Sequence, residues 1–131
     1  MNGDWITIET RDGAAVFGPG DVIAGTVSWH LEGAKSVELR LLWYTEGKGD
    51  RDSRLVTTVE LANPGENEVR PFDLRLPEGP FSFSGKLISL VWTLEAVAAP
   101  GSRAAHLDIT VSPTGREILL PSAAGTHAGP G

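Results

Sequence analysis

Two histidines, His30 and His106, are the side chains that could begin a metal site. Imidazole nitrogens bind zinc, which takes four protein ligands in a structural site and three in a catalytic one. Both histidines fall on alternating segments that direct them to outer strand faces, and no third ligand has a suitable spacing. The sequence therefore predicts two solvated strand histidines and no bound metal. A third histidine, His127, lies in the C-terminal tail and needs no role.

A second candidate is the run Asp50-Arg51-Asp52-Ser53, which begins like a calcium-binding loop. Such a loop needs glycine at its sixth position and glutamate at its twelfth, because the chain turns sharply and closes on a bidentate carboxylate. Those positions are occupied by Leu55 and Leu61. The run is instead predicted to be a charged hairpin tip.

Nucleophilic catalysis could be assembled from Ser82 or Ser84 with His106 and an aspartate. No nucleophile-elbow motif surrounds either serine, and both are predicted to satisfy backbone groups in a turn. The Gly18-Pro19-Gly20 run precedes a strand, whereas a phosphate-binding loop opens a helix. The sequence therefore predicts no catalytic residue and no cofactor, and we expect a protein that is not an enzyme.

Alternation of apolar and polar residues dominates the rest of the chain and predicts β-strands. In Val22–Leu31 the odd-numbered residues form the apolar face. In the segment from 54 to 62, the same period places Leu55 on one face with Thr57, Val59 and Leu61. Strands are predicted at 5–9, 22–31, 35–46, 54–62, 68–76, 86–98 and 104–112, and the segments 14–17 and 118–120 are candidates for further short strands.

Turn residues separate these segments every eight to fourteen residues, and none has helical periodicity. The pattern predicts an all-β fold, an immunoglobulin-like antiparallel β-sandwich of seven to eight strands. Trp29, Trp43 and Trp92 are predicted to lie in its interior, where large aromatic side chains dominate a core. Trp5 is only loosely placed.

Length and charge limit the function classes. With 131 residues the chain is predicted to form one domain over residues 1–120, followed by a mobile Ala-, Gly- and Pro-rich tail at 121–131. The net charge is −6 and the eleven basic residues are scattered, which argues against nucleic-acid binding. There is no cysteine, no signal-like start and no membrane-length apolar run, so we expect a cytoplasmic protein.

Two stretches together resemble the arrestin-like domain family over roughly residues 16–97. Phe17–Val27, FGPGDVIAGTV, is similar to the Y-x-P-G-D-x-I-x-G-x-V signature that opens such domains. Leu76–Ala96, LPEGPFSFSGKLISLVWTLEA, resembles the family's strand end, P-x-S-F-x-G turn and long buried strand. Similar single or paired domains occur in retromer-type cargo subunits and in bacterial sporulation-control proteins of the Spo0M kind. The resemblance implies a non-catalytic adaptor or scaffold domain that binds proteins.

The chain also departs from arrestins, which have two such domains. It contains no second P-G-D signature, and its tail carries no trafficking motif. Receptor binding is therefore not carried over from the family, and the protein partner stays open.

Four apolar residues interrupt the polar outer faces of the predicted strands and form the candidate protein interface: Leu42, Tyr44, Leu87 and Val91. Exposed apolar patches of this kind are typical of interfaces, including those of homo-oligomers. The other interpretation is that a loop or the segment Ile118–Leu120 covers them. The alternative function is a carbohydrate- or other ligand-binding β-sandwich, which requires several aromatic side chains exposed on one platform.

Overall fold

A computed structural model describes residues 3–47, 52–84, 88–101, 103–113 and 118–119. Among these residues the only helical element is a single 3-10 turn at Arg11–Gly13. Within these ranges no helix has the length and apolar character needed to cross a membrane. The strands are β1 (Trp5–Thr10), β2 (Val16–Phe17), β3 (Val22–His30), β4 (Ser36–Gly47), β5 (Ser53–Glu60), β6 (Asn67–Arg75), β7 (Phe83–Ser84), β8 (Ile88–Ala99), β9 (Arg103–Val111) and β10 (Ile118–Leu119).

These strands form two sheets. The smaller sheet has the antiparallel order β1-β3-β6, and the larger has the order β10-β7-β8-β4-β5, with β9 pairing with β8 and with β2. All the long strands pair antiparallel, whereas the two-residue strands β2 and β10 pair parallel to β9 and β7. The predicted antiparallel β-sandwich is confirmed, and the predicted tail at 121–131 lies outside the described residues.

The core lies between the two sheets and follows the predicted alternation. Trp29 on β3 and Trp92 on β8 are almost completely buried, and each indole N–H donates a hydrogen bond of 2.8 Å to a backbone carbonyl, of Gly65 and of Pro80. These bonds let both rings be buried without an unsatisfied donor. Trp43 is different, because it is only half-buried and packs at the margin of the core.

A β-bulge changes the predicted faces of β5. Leu41 pairs with Thr57, but the next residue, Leu42, pairs with Leu55, so Val56 is an extra residue in β5. An extra residue reverses the side-chain alternation beyond it. Leu55 therefore joins Leu42 on the outer face and is 56% exposed, and the prediction that it shares a face with Thr57, Val59 and Leu61 is wrong.

The backbone of β1 lies very close to that of β3 at Gly25. A Cβ atom on Gly25 would lie 2.9 Å from the Cα of Thr10 and closer still to the carbonyl oxygen of Glu9. The sequence predicts that Gly25 leaves room for a neighbouring side chain or marks a bulge. The structure shows instead that it leaves room for the backbone of β1, with which it pairs at Thr10.

Candidate interaction surface

Three of the four predicted interface residues meet on the outer face of the larger sheet. Strands β4 and β8 are adjacent, and their register places Tyr44 opposite Val91 and Leu42 opposite Thr93. Leu42, Tyr44 and Val91 are each half-buried. The fourth predicted residue, Leu87, lies outside the described residues.

Leu55 extends this set, and the sequence did not indicate it. It pairs with Leu42 across β4 and β5, which places it on the same face. We call Leu42, Tyr44, Leu55 and Val91 the apolar patch. The position of the bulge follows from the pairing of β4 with β5, so the uninterrupted alternation of β5 gave no sign of it.

The described part of the chain's C-terminal segment does not lie over the patch. Ile118–Leu119 forms β10, which pairs with β7 in the plane of the larger sheet. The strand order places β7 and β8 between β10 and β4. This short segment therefore extends the sheet sideways instead of covering its outer face.

A shallow groove of about 590 Å³ runs beside the patch. Leu42 and Tyr44 line one part of it, and the nearly buried Thr93 lies at its floor. Its other lining residues are polar: Ser53, Glu95, His106 and Asp108. The surface thus combines apolar area with hydrogen-bonding groups, as protein interfaces do.

An ion-pair network lies next to the patch on the same face. Arg40 contacts Glu38 at 3.0 Å and Glu95 at 3.6 Å, and Glu95 contacts the Nε2 of His106 at 2.9 Å. Each pair is partly exposed, so each contributes at most about 1 kcal/mol to stability. The network therefore adds little to the stability of the fold and sets the charge pattern of this face.

The structure separates the two histidines that were considered as metal ligands. His106 is on β9 of the larger sheet, whereas His30 ends β3 in the smaller sheet. His30 lies instead near Glu32 and Glu66, and one ligand atom from each of these three residues lies within 4.8 Å of the others. The expectation that no third ligand is available rested on spacing along the chain, whereas the register of β3 with β6 brings Glu66 close to His30.

Ser82 has the structural role that was predicted for it. It is buried, its N–H donates to the carbonyl of Val111 at 2.8 Å, and its Oγ accepts from the Val111 N–H at 3.0 Å. These bonds and its burial give Ser82 a structural role at the end of β9. The side chain of Ser84 lies outside the described part of the chain, as do Asp50 and Arg51 of the predicted hairpin tip.

The loop between β5 and β6 is held in place by Arg70. Its guanidinium donates to the carbonyls of Ala62 and Asn63 at 3.0 and 3.2 Å and lies 5.7 Å from the ring centroid of Trp29. It also hydrogen-bonds Glu68, and this bond, with a second one from the Gly65 N–H, holds the pKa of Glu68 below its usual value. The same bond to Glu68 raises the pKa of Arg70.

No protein-family model matches the sequence, and no curated protein matches it. Among solved structures, the chain is similar to Spo0M, a sporulation control protein from Bacillus subtilis, with a TM-score of 0.62 and 17% sequence identity. The similarity covers 85% of this chain and 50% of the Bacillus protein, so this chain spans about half of that length. The fold is therefore an all-β sandwich of the arrestin-like type found in Spo0M.

Proposed function

We propose that this protein is a non-catalytic interaction domain, an adaptor or scaffold of arrestin-like type, that binds a protein partner through the apolar patch. The observation that carries the proposal is the patch itself, in which four apolar side chains on three paired strands interrupt an otherwise polar face. Leu87 belongs to the proposed surface by its place in the sequence, immediately before β8. The partner's identity is open, and a second copy of the chain is one candidate.

Charge and composition support a protein partner. The net charge of −6 opposes binding to nucleic acid, and a cysteine-free chain fits the reducing cytoplasm in which we place it. The Bacillus protein is a sporulation control protein, and we extend to this chain only a regulatory, non-catalytic role. Ser82 is buried and is hydrogen-bonded to the Val111 backbone, which supports a structural role for this serine.

The alternative of a carbohydrate-binding module lacks its main requirement. All four tryptophans lie among the described residues, and only Trp5 is largely exposed, at 50%. Trp29 and Trp92 are in the core, and Trp43 packs at its margin. A single exposed ring does not make the aromatic platform that such modules need.

The test compares two matched charge substitutions in capture experiments with lysate of the native host. Leu55→Asp places a carboxylate in the apolar patch, while Val69→Asp does the same on the outer face of the smaller sheet, where Val69 is 67% exposed. We expect Leu55→Asp to reduce capture of a specific partner tenfold or more, because buried apolar contacts at the centre of an interface contribute about 1.4 kcal/mol or more. Val69→Asp should leave capture unchanged.

Equal capture by both variants and by the wild type would show that the patch is not the binding surface. Size-exclusion chromatography with light scattering tests the self-association clause separately. A monomer at every concentration would rule out self-association. A dimer that Leu55→Asp dissociates and Val69→Asp does not would show that a second copy of the chain binds the apolar patch.

A further inference from the structure

His30, Glu32 and Glu66 converge at one end of the smaller sheet, away from the apolar patch. The Nε2 of His30 lies 4.0 Å from a carboxylate oxygen of Glu66, and one ligand atom from each of the three residues lies within 4.8 Å of the others. His30 and Glu32 flank the buried Leu31, so both point outward on the same side of the chain. This arrangement brings one imidazole and two carboxylates around a common point.

The side chain of Asn67 orients the His30 imidazole toward that point. Its Nδ1 lies 2.6 Å from the side-chain oxygen of Asn67. When Nδ1 carries the proton and donates it to this oxygen, the Nε2 of neutral His30 presents its lone pair toward Glu66. Metal-binding histidines are commonly held by such a bond from the second ring nitrogen, which fixes the tautomer.

Glu66 is held by the backbone around it. Its carbonyl accepts a hydrogen bond of 2.8 Å from the Leu31 N–H, which ties it to the residue between His30 and Glu32. The preceding residue, Gly65, accepts from the Trp29 indole and donates to Glu68. The loop is therefore ordered before any ligand arrives, so a ligand does not need to organise it.

In the part of the chain that the structure describes, no lysine or arginine forms an ion pair with Glu32 or Glu66. Among the described residues, Arg103 pairs with Asp4 and Arg70 pairs with Glu68, and neither pairs with Glu32 or Glu66. With neutral His30, the three groups carry two negative charges and offer only acceptor atoms to one another. A divalent cation matches both the charge and the donor set.

We propose that His30, Glu32 and Glu66 bind a first-row divalent cation of the zinc class, with Asn67 as the positioning residue. Zinc accepts one imidazole nitrogen and carboxylate oxygens at about 2.0 to 2.2 Å, which requires the ligand atoms to approach to about 3.4 Å of one another. Glu32 and Glu66 are exposed and can close that difference by side-chain rotation. The remaining coordination positions face solvent, where water completes the shell.

The test is calorimetric titration of the untagged 131-residue chain with ZnCl₂ near neutral pH, in a His127→Gln background. In this background His30 and His106 are the two remaining imidazoles. We expect one saturable zinc per chain. His30→Gln, Glu32→Gln and Glu66→Gln should each weaken binding at least tenfold, and Asn67→Ala about tenfold through loss of the second ring hydrogen bond.

The matched control is His106→Gln, which removes an exposed strand histidine that also contacts a glutamate. It should bind zinc like the background protein. Circular dichroism of each metal-free variant establishes that the sheet has formed, so a loss of binding is not a loss of fold. Absence of saturable binding would mean that His30 is instead an ordinary partner of Glu66, and an equal loss in His106→Gln would likewise overturn the proposal.

Discussion

Replacing Gly25 with alanine tests how closely the edge strand β1 approaches the central strand β3 of the smaller sheet. Gly25 pairs with Thr10, and a Cβ at position 25 would lie 2.9 Å from the Thr10 Cα and nearer to the Glu9 carbonyl oxygen. Both of these atoms belong to the backbone of β1. No rotation of a flexible side chain can relieve such a contact, so the strand itself has to move.

The expected cost follows from that movement. An ordinary carbon–oxygen contact is about 3.3 to 3.6 Å, so β1 must retreat by more than about 1 Å, which stretches one or two of its hydrogen bonds to β3 beyond their useful range. Overpacking costs about 1 to 3 kcal/mol, and each lost hydrogen bond about 1 kcal/mol. The smaller conformational entropy of unfolded alanine offsets up to about 1 kcal/mol. We expect a net loss of about 2 to 4 kcal/mol in the free energy of unfolding.

Urea unfolding followed by tryptophan fluorescence measures this loss, because Trp29 and Trp92 are buried and respond to the global transition. With the slope expected for a domain of this size, the midpoint should fall by about 1 to 2 M urea. The control is Gly3→Ala, where no atom lies within 4 Å of the added Cβ. If Gly25→Ala unfolds within about 0.5 kcal/mol of Gly3→Ala, the close approach of β1 does not constrain the fold as described here.

Three further substitutions test other parts of the structure by the same urea assay. Ser82→Ala should cost about 1 to 3 kcal/mol because it leaves the buried Val111 N–H without its side-chain acceptor. The control is Ser53→Ala, which removes an exposed hydroxyl and should change the free energy of unfolding by less than about 0.5 kcal/mol. Trp92→Phe should cost about 2 to 4 kcal/mol, because it removes the hydrogen bond to the Pro80 carbonyl and leaves a cavity. A cost below about 1 kcal/mol would contradict the tight packing around β8. For Glu68 the folded-state pKa is lowered, so its carboxylate stabilises the protein above its ordinary pKa and this contribution is lost as pH falls through the lowered value. The stability difference between wild type and Glu68→Gln should therefore be larger at neutral pH than at the lowest pH where both stay folded, and a difference independent of pH would refute the lowered pKa.

Period-two alternation predicted the long strands well because most of them have one face toward the core. In β3, β6 and β8 the predicted inward residues with described side chains are buried or, at Gly25, lie against β1. The same reasoning failed at Leu55, because alternation assumes that neither strand of a pair gains a residue. The bulge at Val56 depends on how β4 and β5 pair, and the sequence of neither strand alone indicates it.

The apolar patch was easier to predict from the sequence than the group of His30, Glu32 and Glu66, because the latter depends on how distant strands pair. Leu42, Tyr44 and Val91 could be found one strand at a time, since each interrupts a polar face, and their proximity needed only the adjacency of β4 and β8. The group of His30, Glu32 and Glu66 depends on a contact between residues 36 positions apart in the chain. Only the pairing of His30 with Asn67 at the end of the β3–β6 ladder shows that Glu66 lies beside it.

The two stretches that resemble arrestin-like domains are connected by hydrogen bonds in the folded chain. The Gly20 N–H donates to the Pro77 carbonyl at 3.3 Å, and the Leu76 N–H donates to the Asp21 carbonyl at 2.8 Å. Arg75 adds a bond of 3.1 Å to the Gly20 carbonyl. The P-G-D turn and the L-P strand end therefore form one corner of the smaller sheet and its exit loop, so their joint presence indicates how the sandwich closes. The apolar patch, which we propose as the binding surface, lies on the other sheet, so substitutions in it do not contact this corner.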